Sequence, residues 1–136
     1  MTKPIPSIQK YMSTSPHTIG QEQALEKAKK MMGENSIRHL PVLEGGKIIG
    51  LLSDRDVHFL TYLSGLDPSE VKVKDAMSLD PYIVSPDAAL DEVAQEMSSN
   101  KYGSAVVMQN DKVVGIFTAV DALGALASLL HTRLAK

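Results

Sequence analysis

A duplicated α+β fold, each copy running β-α-β-β-α, is the architecture this sequence predicts. Three observations carry the prediction. The chain matches itself without a gap at an offset of 65 residues. Within each copy the apolar spacing changes from a helical to a strand period. The composition, 43% hydrophobic and 22% charged over 136 residues, is that of a globular protein rather than a disordered one.

In the self-alignment Met12-Ser13 falls on Met77-Ser78, Pro16 on Pro81, Ala24-Leu25 on Ala89-Leu90, Met32 on Met97 and Asn35 on Asn100. Further on, Val42 falls on Val107, Lys47 on Lys112, Gly50 on Gly115 and Asp56 on Asp121, giving 11 identities over the 45 positions 12–56. An ungapped register of this length marks a tandem duplication. The repeats are expected at 8–66 and 72–134, divided by the turn-rich run Ser64-Gly65-Leu66-Asp67-Pro68-Ser69.

Each copy opens with a short β-branched strand, Thr18-Ile19 or Ile83-Val84. A helix follows, with apolar positions Ala24, Leu25, Ala28, Met31 and Met32 in one copy and Leu90, Val93, Ala94 and Met97 in the other. Two strands come next, Ile37–Leu43 and Lys47–Leu52, joined by Glu44-Gly45-Gly46. Their counterparts, Ser104–Met108 and Lys112–Phe117, turn at Gln109-Asn110-Asp111, and Gly and Asn suit the positive φ of tight hairpins. A second helix is expected over Asp54–Ser64 and over Ala119–Leu134. A unit of about 60 residues is marginal alone, so the copies are expected to pack face to face about a pseudo-two-fold axis.

Composition excludes several chemistries. Fourteen Lys and Arg against sixteen Asp and Glu leave a net charge of −2, without the broad positive field that gathers nucleic acid or anionic membrane. Cysteine is absent, so disulfides, thiolate metal sites and Cys nucleophiles are excluded. His17, His39, His58 and His131 share no metal spacing, and no nucleophile–base pair or phosphate loop is legible. The N-terminus lacks an apolar signal core, and Ala122–Leu130 falls far short of the roughly 20 residues that cross a bilayer. A cytoplasmic protein is expected.

The candidate chemistry lies at the two strand-to-helix junctions, Gly50-Leu51-Leu52-Ser53-Asp54-Arg55-Asp56 and Gly115-Ile116-Phe117-Thr118-Ala119-Val120-Asp121. Both read Gly, two apolar residues, Ser or Thr, two free positions, Asp. The spacing sets a hydroxyl and a carboxylate at a helix N-terminus, where free N–H groups and the dipole favour an anion. The carboxylate can accept bonds from a sugar diol. The same tetrad is also a helix N-cap signature, and the spacing leaves both readings open.

Arg38-His39-Leu40-Pro41-Val42 leading into Gly50…Ser53-Asp54-Arg55-Asp56, the Met-Ser before each first strand, and Gly115–Asp121 together resemble a tandem pair of cystathionine-β-synthase (CBS) domains, a Bateman module. The resemblance covers about Ile8 to Leu134. It implies a stand-alone regulatory module, not an enzyme, that binds AMP, ADP, ATP or S-adenosylmethionine and signals to a regulated protein. It further implies a cleft in which Ser53, Arg55 and Asp56 meet Ile83, Val84, Tyr102 and Gly103. A second would join Thr118 and Asp121 to Thr18, Ile19, Ile37 and Arg38, with Arg38 and His39 near the phosphates. No metal or catalytic cofactor is implied. Arg55 and Arg38, where the second copy has Val120 and Gly103, make the Asp56 site the expected tighter one.

Blander readings stand beside these. Arg38 suits a solvated strand edge, His39 a half-buried histidine, Arg55 a partner for Asp54 or Asp56, and Tyr102 ordinary packing. Leu123, Leu126, Leu129, Leu130 and Leu134 form a stripe on the last helix. With the resemblance, the stripe implies a homodimer. The alternative function is a structural interaction protein whose nucleotide clefts are vestigial.

Overall fold

The computed structural model describes residues 4–14 and 17–134; Pro16 of the self-alignment and the first three residues lie outside it. The chain divides into two compact units, one of residues 17–81, the other of 82–134 together with 4–14. In the 17–81 unit β2 (Ile19–Gly20), β3 (His39–Glu44) and β4 (Lys47–Ser53) form a three-stranded sheet. β2 runs parallel to β3, and β3 antiparallel to β4. Helix α1 (Leu25–Asn35) covers it, and α2 (Asp54–His58) leaves its far end and runs into a π-turn, Phe59–Leu63. The other unit repeats this with β5 (Ile83–Val84), α3 (Leu90–Asn100), β6 (Ser104–Gln109), β7 (Lys112–Thr118) and α4 (Ala119–Leu129), then a π-turn, Leu130–Leu134. A fourth strand, β1 (Ser13–Thr14), lines the outer edge of β7.

Local chemistry repeats at the same offset. Gly45 and Gly46 hold φ of 58° and 81° in one hairpin, and Asn110 and Asp111 hold 54° and 61° in the other, the pair of positive values a two-residue turn needs. Each antiparallel pair shifts register at the same place, between Val42 and Leu43 and between Val107 and Met108. The strands expected from Ile37 begin instead at His39. Ser36, left-handed, closes α1, and the Ile37 N–H donates back to Met32 (3.0 Å), which holds Ile37 in the helix cap. The long second helices end early as α-helix, each relaxing into its π-turn.

One core holds Leu25, Ala28, Met32, Leu40, Val42, Leu52, Val57 and Val73; the other holds Ile8, Leu90, Val93, Met97, Ala105, Val107, Phe117 and Ala125. Ile8 and Val73, both fully buried, stand 65 residues apart and belong to lead-in segments. Val73 N–H donates to Gln23 (2.9 Å) and Leu25 N–H to Val71 (2.7 Å); likewise Ile8 N–H donates to Ala88 (3.0 Å) and Leu90 N–H to Pro6 (2.9 Å). The bonds from Leu25 and Leu90 satisfy helix-start donors for which Ala24 and Ala89 supply no side-chain cap. The spatial units therefore differ from the sequence repeats 8–66 and 72–134. The opening residues of the first repeat, up to 14, complete the second repeat's unit, and the opening residues of the second, up to 81, complete the first's.

Candidate functional site

In both units the strand-to-helix junction is a capping box. Ser53 Oγ accepts from Asp56 N–H (3.1 Å), and Asp56 Oδ2 accepts from Ser53 N–H (3.1 Å). Thr118 Oγ1 accepts from Asp121 N–H (3.1 Å), and Asp121 Oδ2 from Thr118 N–H (3.0 Å). The cap reading of the tetrad is therefore realised in both copies. The cap occupies Oδ2, while Oδ1 of either carboxylate makes no hydrogen bond among the described residues. Each Asp is half-buried and can offer that second oxygen to a ligand while holding its helix. The copies differ in one bond: Ser53 Oγ also donates to Asp56 Oδ2 (2.8 Å), whereas Thr118 makes no such donation among the described residues.

The glycine before each box has a steric cause. A Cβ on Gly50 would lie 2.8 Å from both Met77 Sδ and the Ser78 carbonyl; one on Gly115 would lie 2.8 Å from Met12 Sδ and the Ser13 carbonyl. The repeated Met-Ser and the repeated Gly are thus two halves of one close approach. Ser13 pairs with Ile116, and Leu51 bridges Ser78.

Around Asp56 the 17–81 unit gathers charge. His39 stands opposite Ser53 in the β3–β4 register, and the Arg38 carbonyl accepts from Asp54 N–H (2.8 Å). Arg38 and Arg55 are exposed and form no ion pair among the described residues. Asp54 instead faces His58 Nδ1 at 3.5 Å. Burial holds the His39 imidazole below the usual value of 6.5, aided by Arg38 and opposed by Asp56 and Asp54. A depressed histidine pKa means that the unfolded chain binds the proton more readily, so His39 favours folding above about pH 6.5 and that contribution fades as pH falls through the folded value. Urea unfolding between about pH 7.5 and 5.5 is expected to show wild type losing more stability than His39→Gln; equal slopes would refute this.

In the other unit the same positions hold Gly103, Ser104 and Val120. The Gly103 carbonyl accepts from Ala119 N–H (3.0 Å), and Ser104 pairs with Thr118. Thr18, Val84 and Ile37 are half-buried, and Ile19 has its side chain in the core, leaving its main chain for contact. Ile83 and Tyr102 are exposed, Tyr102 at 41%. Within each unit, then, Arg38, His39, Ser53, Arg55 and Asp56 come together, as do Gly103, Thr118 and Asp121. The sequence reading missed Ser104 as a member of the second set; its place opposite Thr118, equivalent to His39 opposite Ser53, was the available signal. Among the described residues no group of three or more His, Asp or Glu is arranged for a metal, and no helix is long and apolar enough to cross a membrane.

Two copies of one β-α-β-β-α unit, each ending its hairpin in a glycine and a hydroxyl–carboxylate cap, define a tandem-repeat α+β domain pair. The CBS domain family model matches residues 1–59 and 73–128, and the chain belongs to that family. It is similar to the CBS domain-containing protein YhcV of Bacillus subtilis, with 28% identity over 121 residues, 89% of this chain and 83% of YhcV. An inosine-5'-monophosphate dehydrogenase of Korarchaeum cryptofilum is 30% identical over 122 residues, but the chain spans only 24% of that enzyme's length.

Among solved structures, a Vibrio cholerae protein described as an acetoin utilization protein (AcuB) superposes with a TM-score of 0.83 at 30% identity, covering 98% of both chains. The CBS domain pair of MJ0100, solved with 5'-methylthioadenosine and S-adenosylmethionine, gives 0.83 at 23% identity over 92% of this chain and 98% of its own. Arabidopsis thaliana CBSX2, solved with AMP, gives 0.81 at 21% over 91% and 98%. At those last two identities the likeness is one of fold.

Proposed function

We propose that this chain is a regulatory, non-catalytic module that binds an adenosine-containing ligand at its Ser53/Asp56 and Thr118/Asp121 motifs. The carrying observation is the uncommitted Oδ1 on each capping aspartate, a charged acceptor at a helix N-terminus that can take a ribose diol. The ligand complexes of MJ0100 and CBSX2 support the ligand class. AMP, ADP, ATP and S-adenosylmethionine are the candidates. Arg38, His39 and Arg55 favour a phosphate beside Asp56 and make that the tighter site. Thr18, Ile19, Ile37, Ile83, Val84, Tyr102 and Gly103 supply the remaining contacts, largely through main chain. The chain acts in the cytoplasm, and occupancy reaches a regulated protein because the ligand binds one arrangement of the molecule better than another.

The test separates the cap from the ligand role. Asp56→Asn and Asp121→Asn keep a carbonyl oxygen for the capping N–H but turn the second acceptor into a donor. A ligand at a hundred times its Kd stabilises wild type by about 2.7 kcal/mol. The Asn variants are expected to melt close to wild type when unliganded, with Asp56→Asn losing most of the AMP shift. Equal AMP shifts in wild type and both variants would refute the site assignment.

The satisfied capping boxes and the exposed apolar stripe favour a second reading, an interaction protein with vestigial sites. Leu123 and Leu126 on α4 are 65% and 54% exposed, and Val120, Leu130 and Leu134 are exposed too, a contiguous face of the sort that associates. On this reading the chain is a homodimer through α4, and saturating nucleotide leaves melting unchanged. Sedimentation of Leu126→Asp then gives a monomer where wild type gives a dimer.

A further inference from the structure

The hairpin end of the β6–β7 pair, the end away from Thr118, borders a cavity of about 360 Å³. Gln9 of the lead-in segment, Asp87 of the turn before α3, and Gln109 and Asn110 of the hairpin line it with polar groups. Buried Pro86 and half-buried Met108 give it an apolar side. Its volume lies in the range of small-ligand pockets.

The other copy shows what occupies the same place there. At the offset of 65, Asp87 corresponds to Glu22, and Gln9 and Ser7 to Lys74 and Lys72. The backbones correspond too: Lys74 N–H donates to the Gln21 carbonyl (3.0 Å) and Gln9 N–H to the Pro86 carbonyl (3.1 Å). In the 17–81 unit both lysines reach the carboxylate, Lys72 Nζ donating to Glu22 Oε1 (2.7 Å) and Lys74 Nζ to Oε2 (3.1 Å). The second unit keeps the main-chain bond and has lost both ammonium groups. Asp87 Oδ1 accepts from the Ser85 hydroxyl (2.6 Å), and the carboxylate forms no ion pair among the described residues. Two lysines on neighbouring elements do not replace the missing pair. Lys10 lies over the Tyr11 ring (5.9 Å). Lys112, opposite Gln109 in register, has Lys47 as its counterpart and is common to both copies.

We propose that this cavity binds a primary alkylammonium group, carried by a small amine or by a lysine side chain, with the cation on Asp87 and the carbon chain over Pro86 and Met108. The ligand supplies from outside the group that the other copy builds into its own chain. An exposed ion pair is worth little by itself, so the chain matters as much as the charge, and the unbranched thioether of Met108 adapts to it. The amide oxygens of Gln9, Gln109 and Asn110 can accept from the remaining ammonium N–H groups. The site lies apart from the Thr118/Asp121 motif and does not depend on the nucleotide reading.

Heteronuclear NMR titration of the full chain with n-butylammonium tests this. Saturable shifts are expected at the amides of Asp87, Gln109 and Asn110, with methylammonium and n-butanol each binding at least about tenfold more weakly. Asp87→Asn is expected to weaken n-butylammonium by about tenfold or more. Gln9→Lys is expected to weaken it several-fold, because the lead-in segment then provides the cation. Both side chains are exposed, so the variants keep the fold. No saturable shift in wild type, n-butanol binding as tightly as n-butylammonium, or unchanged affinity in either variant would overturn the proposal. A lysine flanked by capped alanines separates the two sources: binding as tight as n-butylammonium supports a protein side chain, and clearly weaker binding supports a free amine.

Discussion

Truncating Phe117 to alanine is expected to remove about 3–5 kcal/mol of stability, a large share of the roughly 5–15 kcal/mol a domain possesses. Phe117 is the largest of the fully buried side chains and packs in the core with Ile8, Leu90, Val93 and Met97. The cost combines lost burial with the cavity left behind, and the neighbouring strands leave little room to collapse into it. The residue also immediately precedes Thr118, so a loosened β7 loosens the cap on α4. Urea unfolding measures the loss, and Leu52→Ala at the equivalent position is expected to cost about 2–5 kcal/mol. A change below about 1 kcal/mol for Phe117→Ala would show that the core relaxes around the gap, contrary to its close packing.

Gly50→Ala and Gly115→Ala are expected to destabilise by about 1–3 kcal/mol or more each. A methyl at either position meets a backbone carbonyl, of Ser78 or Ser13, at 2.8 Å, as well as a methionine sulfur. The sulfur sits on a flexible chain and can move; the carbonyl cannot, without breaking the pairing of Ser13 with Ile116 or of Ser78 with Leu51. Trimming the sulfur by Met12→Ala is therefore expected not to rescue Gly115→Ala. Thermal melts of the single and double variants check this, and full rescue would show that the side chain alone, rather than the main chain, requires the glycine.

Much of this fold was legible because the repeat fixed the register and each copy confirmed the other. The hairpin turns followed from Gly45-Gly46 and Asn110-Asp111, and the helices from Leu25–Met32 and Leu90–Met97. The lead-in segments were not legible. Ile8, near Ile5 and Tyr11, and Val73, near Val71 and Ala76, sit in segments too short for a period of two or 3.6 to be read, and nothing in them announces which core they fill. Nor could spacing show that β1 pairs with a strand about a hundred residues later in the chain. At the site, the tetrads were found, but whether Asp56 and Asp121 cap or bind turns on which carboxylate oxygen is used, a distinction only coordinates carry. Ser104 was passed over because serine on a strand is unremarked until its burial and lack of a partner are seen.

The traded lead-in segments make the topology nested: one folded body is written as a continuous stretch, 17–81, and the other is written around it. A gene cut at the junction of the two repeats would yield fragments each carrying the wrong prefix, whereas excision of 17–81 would release a self-contained piece and leave its host to be closed by joining residues 14 and 82. Deletions and fusions that respect this bracket-like order are the ones that keep each unit's own core together.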